Sequence, residues 1–130
     1  MSKNMNSILL IDDNEDDNFF HQKVIESMNM PVQVTVALDG EEALTYLKQG
    51  NHTPPDLIVL DLNMPRMNGF EFLKEYQSLS PALKTKVLIM LTTSISPVDR
   101  KKAEQISEVI GFENKPLSKE MLTAILEKYF

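Results

Sequence analysis

Three carboxylates and one ammonium stand at positions in this chain where chemistry is possible. Asp12 and Asp13 close the apolar run Ile8-Leu9-Leu10-Ile11, and Asp61 closes a second run, Leu57-Ile58-Val59-Leu60. Two buried-strand patterns that each finish on carboxylates imply one pocket holding three negative charges. Gathering such charges costs free energy unless a cation or a proton compensates them, so the arrangement suits chemistry better than folding. Carboxylate oxygens are hard ligands, and Mg2+ fits a site of one or two carboxylates plus waters and a phosphate. With Asp12 and Asp13 on the metal, Asp61 at its strand tip is free to attack phosphorus and become an acyl phosphate. Phosphoryl transfer needs mainly positioning and charge neutralisation. Thr92, after the run Val87-Leu88-Ile89-Met90-Leu91, offers a hydroxyl, and Lys115 in Asn114-Lys115-Pro116 offers a positive charge.

The elements that must position these residues alternate along the chain. Ile8 to Ile11 is expected as a first strand. A helix follows from Glu15 to about Met28, with Phe20, Val24 and Met28 recurring on one face. Val32 to Val36 is rich in β-branched residues and forms a second strand. Glu41 to Gln49 is a short helix with Ala43, Leu44 and Leu47 inward and Gly50 as its C-terminal cap. Leu57 to Leu60 is the third strand, and a helix from about Gly69 to Gln77 buries Phe70 and Leu73. Val87 to Leu91 is the fourth strand, apolar on both faces. Ser96-Pro97 opens a polar helix over about Val98 to Glu108, with Ala103, Ile106 and Val109 as its only apolar stripe. Val109 to Glu113 is the fifth strand. Ser118 caps a last helix that turns Met121, Leu122, Ile125, Leu126 and Tyr129 to the core.

Strands alternating with helices imply an α/β domain, a parallel five-stranded sheet covered by helices on both faces. Right-handed crossovers make it doubly wound and place its site at the carboxyl ends of the strands. Asp12, Asp13, Asp61 and Thr92 all fall there. A single domain over residues 1–130, with its core at about 6–129 and no output domain, accounts for the whole length. The net charge of -6 argues against direct nucleic-acid binding. Arg100-Lys101-Lys102 is a short basic cluster, best explained as a solvated helix face. No stretch approaches a membrane span, and the N-terminus lacks a signal-peptide core. The absence of cysteine removes disulfides and thiolate chemistry. A cytoplasmic location is the expectation.

The set Asp12-Asp13, Asp61, Thr92 and Lys115-Pro116, in that order on five βα units, resembles the receiver domain of two-component response regulators. The resemblance covers essentially the whole chain and implies the flavodoxin-like (βα)5 fold with strand order 2-1-3-4-5. It further implies that Asp61 accepts a phosphoryl group from a phosphohistidine on a sensor histidine kinase or histidine phosphotransfer protein. Asp13 would bind Mg2+ directly, Asp12 through water, and the backbone carbonyl of Asn63 would complete the protein ligands. Thr92 and Phe112 occupy the switch positions, coupling phosphorylation to the surface around the fourth helix, fifth strand and fifth helix. Phe112 stands where many members have tyrosine, and Thr93 where alanine is common. Asn63 and Ser94 occupy positions that in the family tune loss of the phosphoryl group. Such a protein signals to a downstream protein partner rather than turning over a substrate, as a monomer or a weak phosphorylation-dependent dimer.

Two other functions use the same residues. A phosphohydrolase of the haloacid dehalogenase type also has an Asp nucleophile at a strand tip with Mg2+. It needs a general acid two residues later, where this chain has Asn63, whose amide cannot transfer the proton. A receiver-like binding module that is never phosphorylated is the other. Among the remaining polar residues, Glu15, Asp16 and Asp17 are explained by the dipole of the first helix. His21 and His52 are expected to be solvated or packed. Met64, Met67 and Met90 suit loop and core packing.

Overall fold

Leu57-Ile58-Val59-Leu60-Asp61 and Val87-Leu88-Ile89-Met90-Leu91-Thr92 are buried along their whole length, as central strands with helices on both faces must be. They form β3 (Leu57–Asp61) and β4 (Val87–Thr92) of the computed structural model, which describes residues 5–49, 53–85, 87–93 and 96–130. The remaining strands are β1 (Ser7–Ile11), β2 (Gln33–Ala37) and β5 (Gly111–Asn114). The helices are α1 (Glu15–Glu26), α2 (Gly40–Lys48), α3 (Gly69–Gln77), α4 (Pro97–Glu104) and α5 (Lys119–Tyr129). All strand pairs are parallel, in the order β2-β1-β3-β4-β5. The chain order reverses between β1 and β3, and the crevice at such a switch point is where ligands of this architecture bind.

Strand side chains alternate between two core layers. Leu9, Ile11, Ile58, Leu60, Leu88, Met90 and Phe112 pack with Ala43, Leu44 and Leu47 of α2, Phe72, Leu73 and Tyr76 of α3, and Ala103 of α4. Ile8, Leu10, Leu57, Val59, Val87, Ile89 and Leu91 face the other way, onto Ile25 of α1 and Leu122 and Ile125 of α5. A period of two residues is what a sheet buried on both faces requires. Each helix starts on a polar cap. The side chains of Asn14, Asp39, Asn68, Ser96 and Ser118 accept from backbone N–H groups three residues on. Asn68 and Glu71 form a reciprocal capping box at α3. Met64, Met67 and Met90 pack in or against the α2–α3 layer.

Several inward faces differ from the sequence-based expectation. On α1 the buried residues are Asn18, His21 and Ile25, while Phe20 is 50% exposed and Val24 and Met28 only flank the core. The reason is local: the first half of this helix faces polar groups at the sheet end, so the Asn18 amide donates to the Asp12 carbonyl at 2.9 Å. α3 buries Phe72, Leu73 and Tyr76, with Phe70 only partly covered. The Tyr76 hydroxyl accepts from the Thr85 N–H at 2.9 Å, which lets an aromatic with a polar tip sit inside. α4 stops at Glu104 rather than running to Glu108, and Val98 is 75% exposed. The chain then turns through Ile106 and Val109 so that the Ile110 N–H reaches the Leu88 carbonyl and β5 starts at Gly111. Tyr129 at the end of α5 is 37% exposed and stands outside the buried core. Gly50, expected to cap α2, lies outside the described residues.

Candidate functional site

The ends of β1, β3 and β4 bring the chemistry-bearing residues together. The Asp12 N–H continues the β1–β2 ladder to the Ala37 carbonyl at 3.0 Å, which fixes Asp12 just past the sheet. Asp61 is the last residue of β3, opposite Leu91. Oxygens of Asp12, Asp13 and Asp61 lie within 4.8 Å of one another. Asp12 and Asp61 are 4% and 6% exposed, whereas Asp13 faces solvent. Gly69 presses on the back of the Asp61 strand tip: a Cβ there would stand 2.8 Å from the Asp61 carbonyl oxygen and 3.0 Å from Leu62 Cα. Glycine permits that approach, and its N–H donates to the Leu62 carbonyl at 2.8 Å, closing the loop that carries Asn63.

Lys115 reaches this cluster from beyond β5. Its N–H donates to the Thr92 carbonyl at 2.7 Å, tying the loop to the end of β4, and the Lys115–Pro116 peptide is cis. The Lys115 Nζ lies 2.7 Å from Asp12 Oδ2, 2.7 Å from Asp17 Oδ2 and 3.4 Å from Asp61 Oδ1. Thr92 stands one residue past the register partner of Asp61, fully buried, and its Oγ1 has no hydrogen-bond partner among the described residues. Such a donor carries a free-energy cost until an acceptor arrives.

Burial, then the neighbouring charges of Asp12 and Asp13, push the Asp61 carboxyl up to about 6, with Lys115 pulling the other way. Burial alone would lower the Lys115 ammonium, but its hydrogen bonds to Asp12 and Asp17 and the charges of Asp12 and Asp61 carry it well above its ordinary value. It is therefore a permanent cation in the pocket. His21, buried behind the site, is held below its ordinary value by desolvation and by Lys115, so it stays neutral near pH 7. Asn18 and His21 line a cavity of about 10 Å³ behind Asp12 and Asp61, room for about one water. A groove of about 370 Å³ between β5 and α5 lies apart from the carboxylates.

The donor set fits a small hard cation. Three carboxylates share the mouth of the pocket, and among the described residues Lys115 is the ammonium paired with them. Oxygen-only coordination with open positions for water and phosphate is the preference of Mg2+. Asn63 is exposed in the loop two residues beyond Asp61. Phe112 on β5 is buried opposite Met90, with the Arg100 guanidinium 5.6 Å from its ring centroid. Ser94 and His52 lie outside the described residues.

Sequence reasoning missed Asp17, Asn18 and His21 as parts of this pocket. Their spacing was a usable signal, because Asp17, His21 and Ile25 recur every four residues and Asn18 lies on the same side. In sequence Asp17 is explained by the helix dipole and His21 as a solvated or packed residue, and Asn18 carries no expectation. A second omission is Arg66, whose Nε and Nη2 both donate to Asp39 Oδ2, at 2.9 and 2.6 Å. This pair ties the loop after Asp61 to the cap of α2.

The model of the response regulator receiver domain family matches residues 8–127. The sensor histidine kinase CheAY of Helicobacter pylori is 31% identical over 121 residues, covering 93% of this chain. The chain spans only 14% of that kinase's length. The crystal structure of a two-component response regulator from Cytophaga hutchinsonii aligns with a TM-score of 0.88 at 28% identity, covering 95% of this chain and 96% of that one. The crystal structure of the phosphorylated cyanobacterial phytochrome response regulator RcpA aligns with a TM-score of 0.77 at 33% identity, covering 95% and 90%.

Proposed function

This chain belongs to the response regulator receiver domain family, and we propose that it takes a phosphoryl group onto Asp61 from a phosphohistidine of a sensor histidine kinase or histidine phosphotransfer protein. The observation that carries this reading is the environment of Asp61: a buried strand-tip carboxylate with two further carboxylates within 4.8 Å and an ammonium at 3.4 Å. Receiver domains take phosphoryl groups in this way and act as signalling modules.

Asp12, Asp13, Asp61 and the backbone carbonyl of Asn63 would hold Mg2+. Bound there, the cation would neutralise charge on the acceptor carboxylate and on the phosphoryl oxygens. Asp61 supplies the attacking oxygen: its O–P bond forms as the P–N bond to the donor histidine breaks, and the imidazole leaves with the electron pair. Lys115 Nζ donates to one phosphoryl oxygen, and the Thr92 hydroxyl, buried without an acceptor among the described residues, donates to another. These donors are in place before the group arrives, which is how electrostatic preorganisation lowers such barriers.

Thr92 and Phe112 form the proposed switch. The Phe112 ring is already buried, so the change would be a repacking against Thr92 and Arg100 rather than burial of an exposed ring. It would reach the surface of α4, β5 and α5, where a downstream protein binds; the chain would act as a monomer or a weak phosphorylation-dependent dimer. The phosphohydrolase alternative has no support, since the position of its general acid holds Asn63.

Incubation with Mg2+ and acetyl phosphate tests the proposal. Intact-mass analysis is expected to show one base-labile phosphoryl group on the wild type and none on Asp61→Asn. A wild type that never acquires the group would be a binding module that is not phosphorylated. Steady turnover of phosphoesters would restore the hydrolase.

A further inference from the structure

Lys115 is shared unequally among three carboxylates. Two contacts, to Asp12 and Asp17, are at 2.7 Å, the length of a charge-assisted hydrogen bond, while the contact to Asp61 is 3.4 Å. Asp17 belongs to a different part of the chain, 98 residues away, and it is placed firmly. It is the third residue of α1, and its N–H donates to the cap side chain of Asn14 at 3.0 Å. The positive end of the helix also favours a negative charge there.

Of the three partners, Asp17 alone lies outside the group of carboxylates able to share a cation. A metal engaging Asp12 and Asp61 would take those two carboxylates from Lys115 and repel its ammonium. Asp17 is the partner that remains. We propose that Asp17 is a positioning residue that holds the Lys115 ammonium on the α1 side of the pocket, keeping Asp12 and Asp61 available to the cation while competing with the phosphoryl oxygen for Lys115. The inference rests on the receiver reading of the site.

Its signature is a pair of affinity changes of opposite sign. Without the Asp17 carboxylate, the ammonium moves onto Asp12 and Asp61 and competes with Mg2+. The same freed ammonium then donates fully to a phosphoryl oxygen. A structural lesion would weaken both ligands together.

The test compares Asp17→Ala with Asp16→Ala in the full chain. Asp16 is the exposed neighbour, and its substitution removes the same formal charge. Mg2+ affinity is measured by calorimetry, and beryllium trifluoride affinity, as the phosphoryl mimic, is measured at saturating Mg2+. Asp17→Ala is expected to weaken Mg2+ about five- to tenfold and to tighten the mimic by about threefold or more, with Asp16→Ala within about twofold of wild type for both. Any other pattern, including parallel losses or equal behaviour of the two variants, overturns the proposal. A wild type that binds neither Mg2+ nor the mimic would instead sink the receiver reading itself.

Discussion

Asp61 is a carboxylate whose folded environment favours the proton. Its value of about 6 lies above the ordinary 3.8 because it is buried beside Asp12 and Asp13. A raised acid binds more protons in the folded state than in the unfolded one. The resulting stabilisation is fully present below about 3.8 and is lost as pH rises through about 6. At pH 7.5 the ionised Asp61 therefore strains the metal-free fold. In EDTA, Asp61→Asn is expected to raise stability by about 1–3 kcal/mol at pH 7.5, and the gain should vanish near pH 4. Urea unfolding at the two pH values measures this; a pH-independent gain would count against it. Asp13→Ala removes a like charge from the same cluster. Mg2+-dependent phosphorylation by acetyl phosphate should disappear in that variant, while its metal-free melting temperature stays the same or rises. At Thr92 the hydroxyl has no partner to lose among the described residues, so Thr92→Val should cost less than about 1 kcal/mol of stability yet reduce affinity for the phosphoryl mimic.

At the scale of elements, Asp61 is held by the junction of β3 and α3. Gly69 opens α3 and lies against the Asp61 carbonyl. Gly69→Ala puts a carbon within 2.8 Å of backbone, which no side-chain rotation relieves. The strand tip or the helix start must shift, and the expected outcome is a loss of about 1–3 kcal/mol accompanied by weaker Mg2+ binding. Unchanged calorimetric affinity would show that the tip tolerates the shift. α1 carries the opposite lesson. Its buried side is polar where it meets the site and apolar only at Ile25, so this helix supplies functional groups as well as packing. The loop after Asp61 is pinned to the cap of α2 through Arg66 and Asp39, which couples that loop to the helix layer.

For the whole molecule, the sheet gathers charges that the unfolded chain keeps apart. Folding thus builds the candidate cation site and bears the repulsion, so a cation bound there would return stability by mass action. Mg2+ at a hundred times its dissociation constant should add about 2.7 kcal/mol, or roughly 10 °C in melting temperature for a domain of this size. Differential scanning calorimetry in Mg2+ against EDTA measures the shift, and Asp13→Ala should abolish it. With a net charge of -6, raising the salt concentration should stabilise the metal-free form and weaken Mg2+ binding. Among the described residues no helix is long and apolar enough to cross a membrane.

The order of elements, the parallel doubly wound sheet and the placement of Asp12, Asp13, Asp61 and Thr92 at strand ends were all legible in the sequence. They follow from local rules: apolar runs too short for helices, caps before helices, and the forced direction of crossovers. What remained hidden was decided by which surface each helix turns inward. Phe20 and Phe70 looked like core because periodicity weighs apolar residues alone. Tertiary contacts placed Asn18, His21 and Tyr76 inside because a polar group can be buried where a partner waits, as the Asp12 carbonyl does for Asn18 and the Thr85 N–H does for Tyr76. The role of Asp17 lay furthest out of reach. A contact across 98 residues exists only when β5 closes against β4 and carries Lys115 to the first turn of α1.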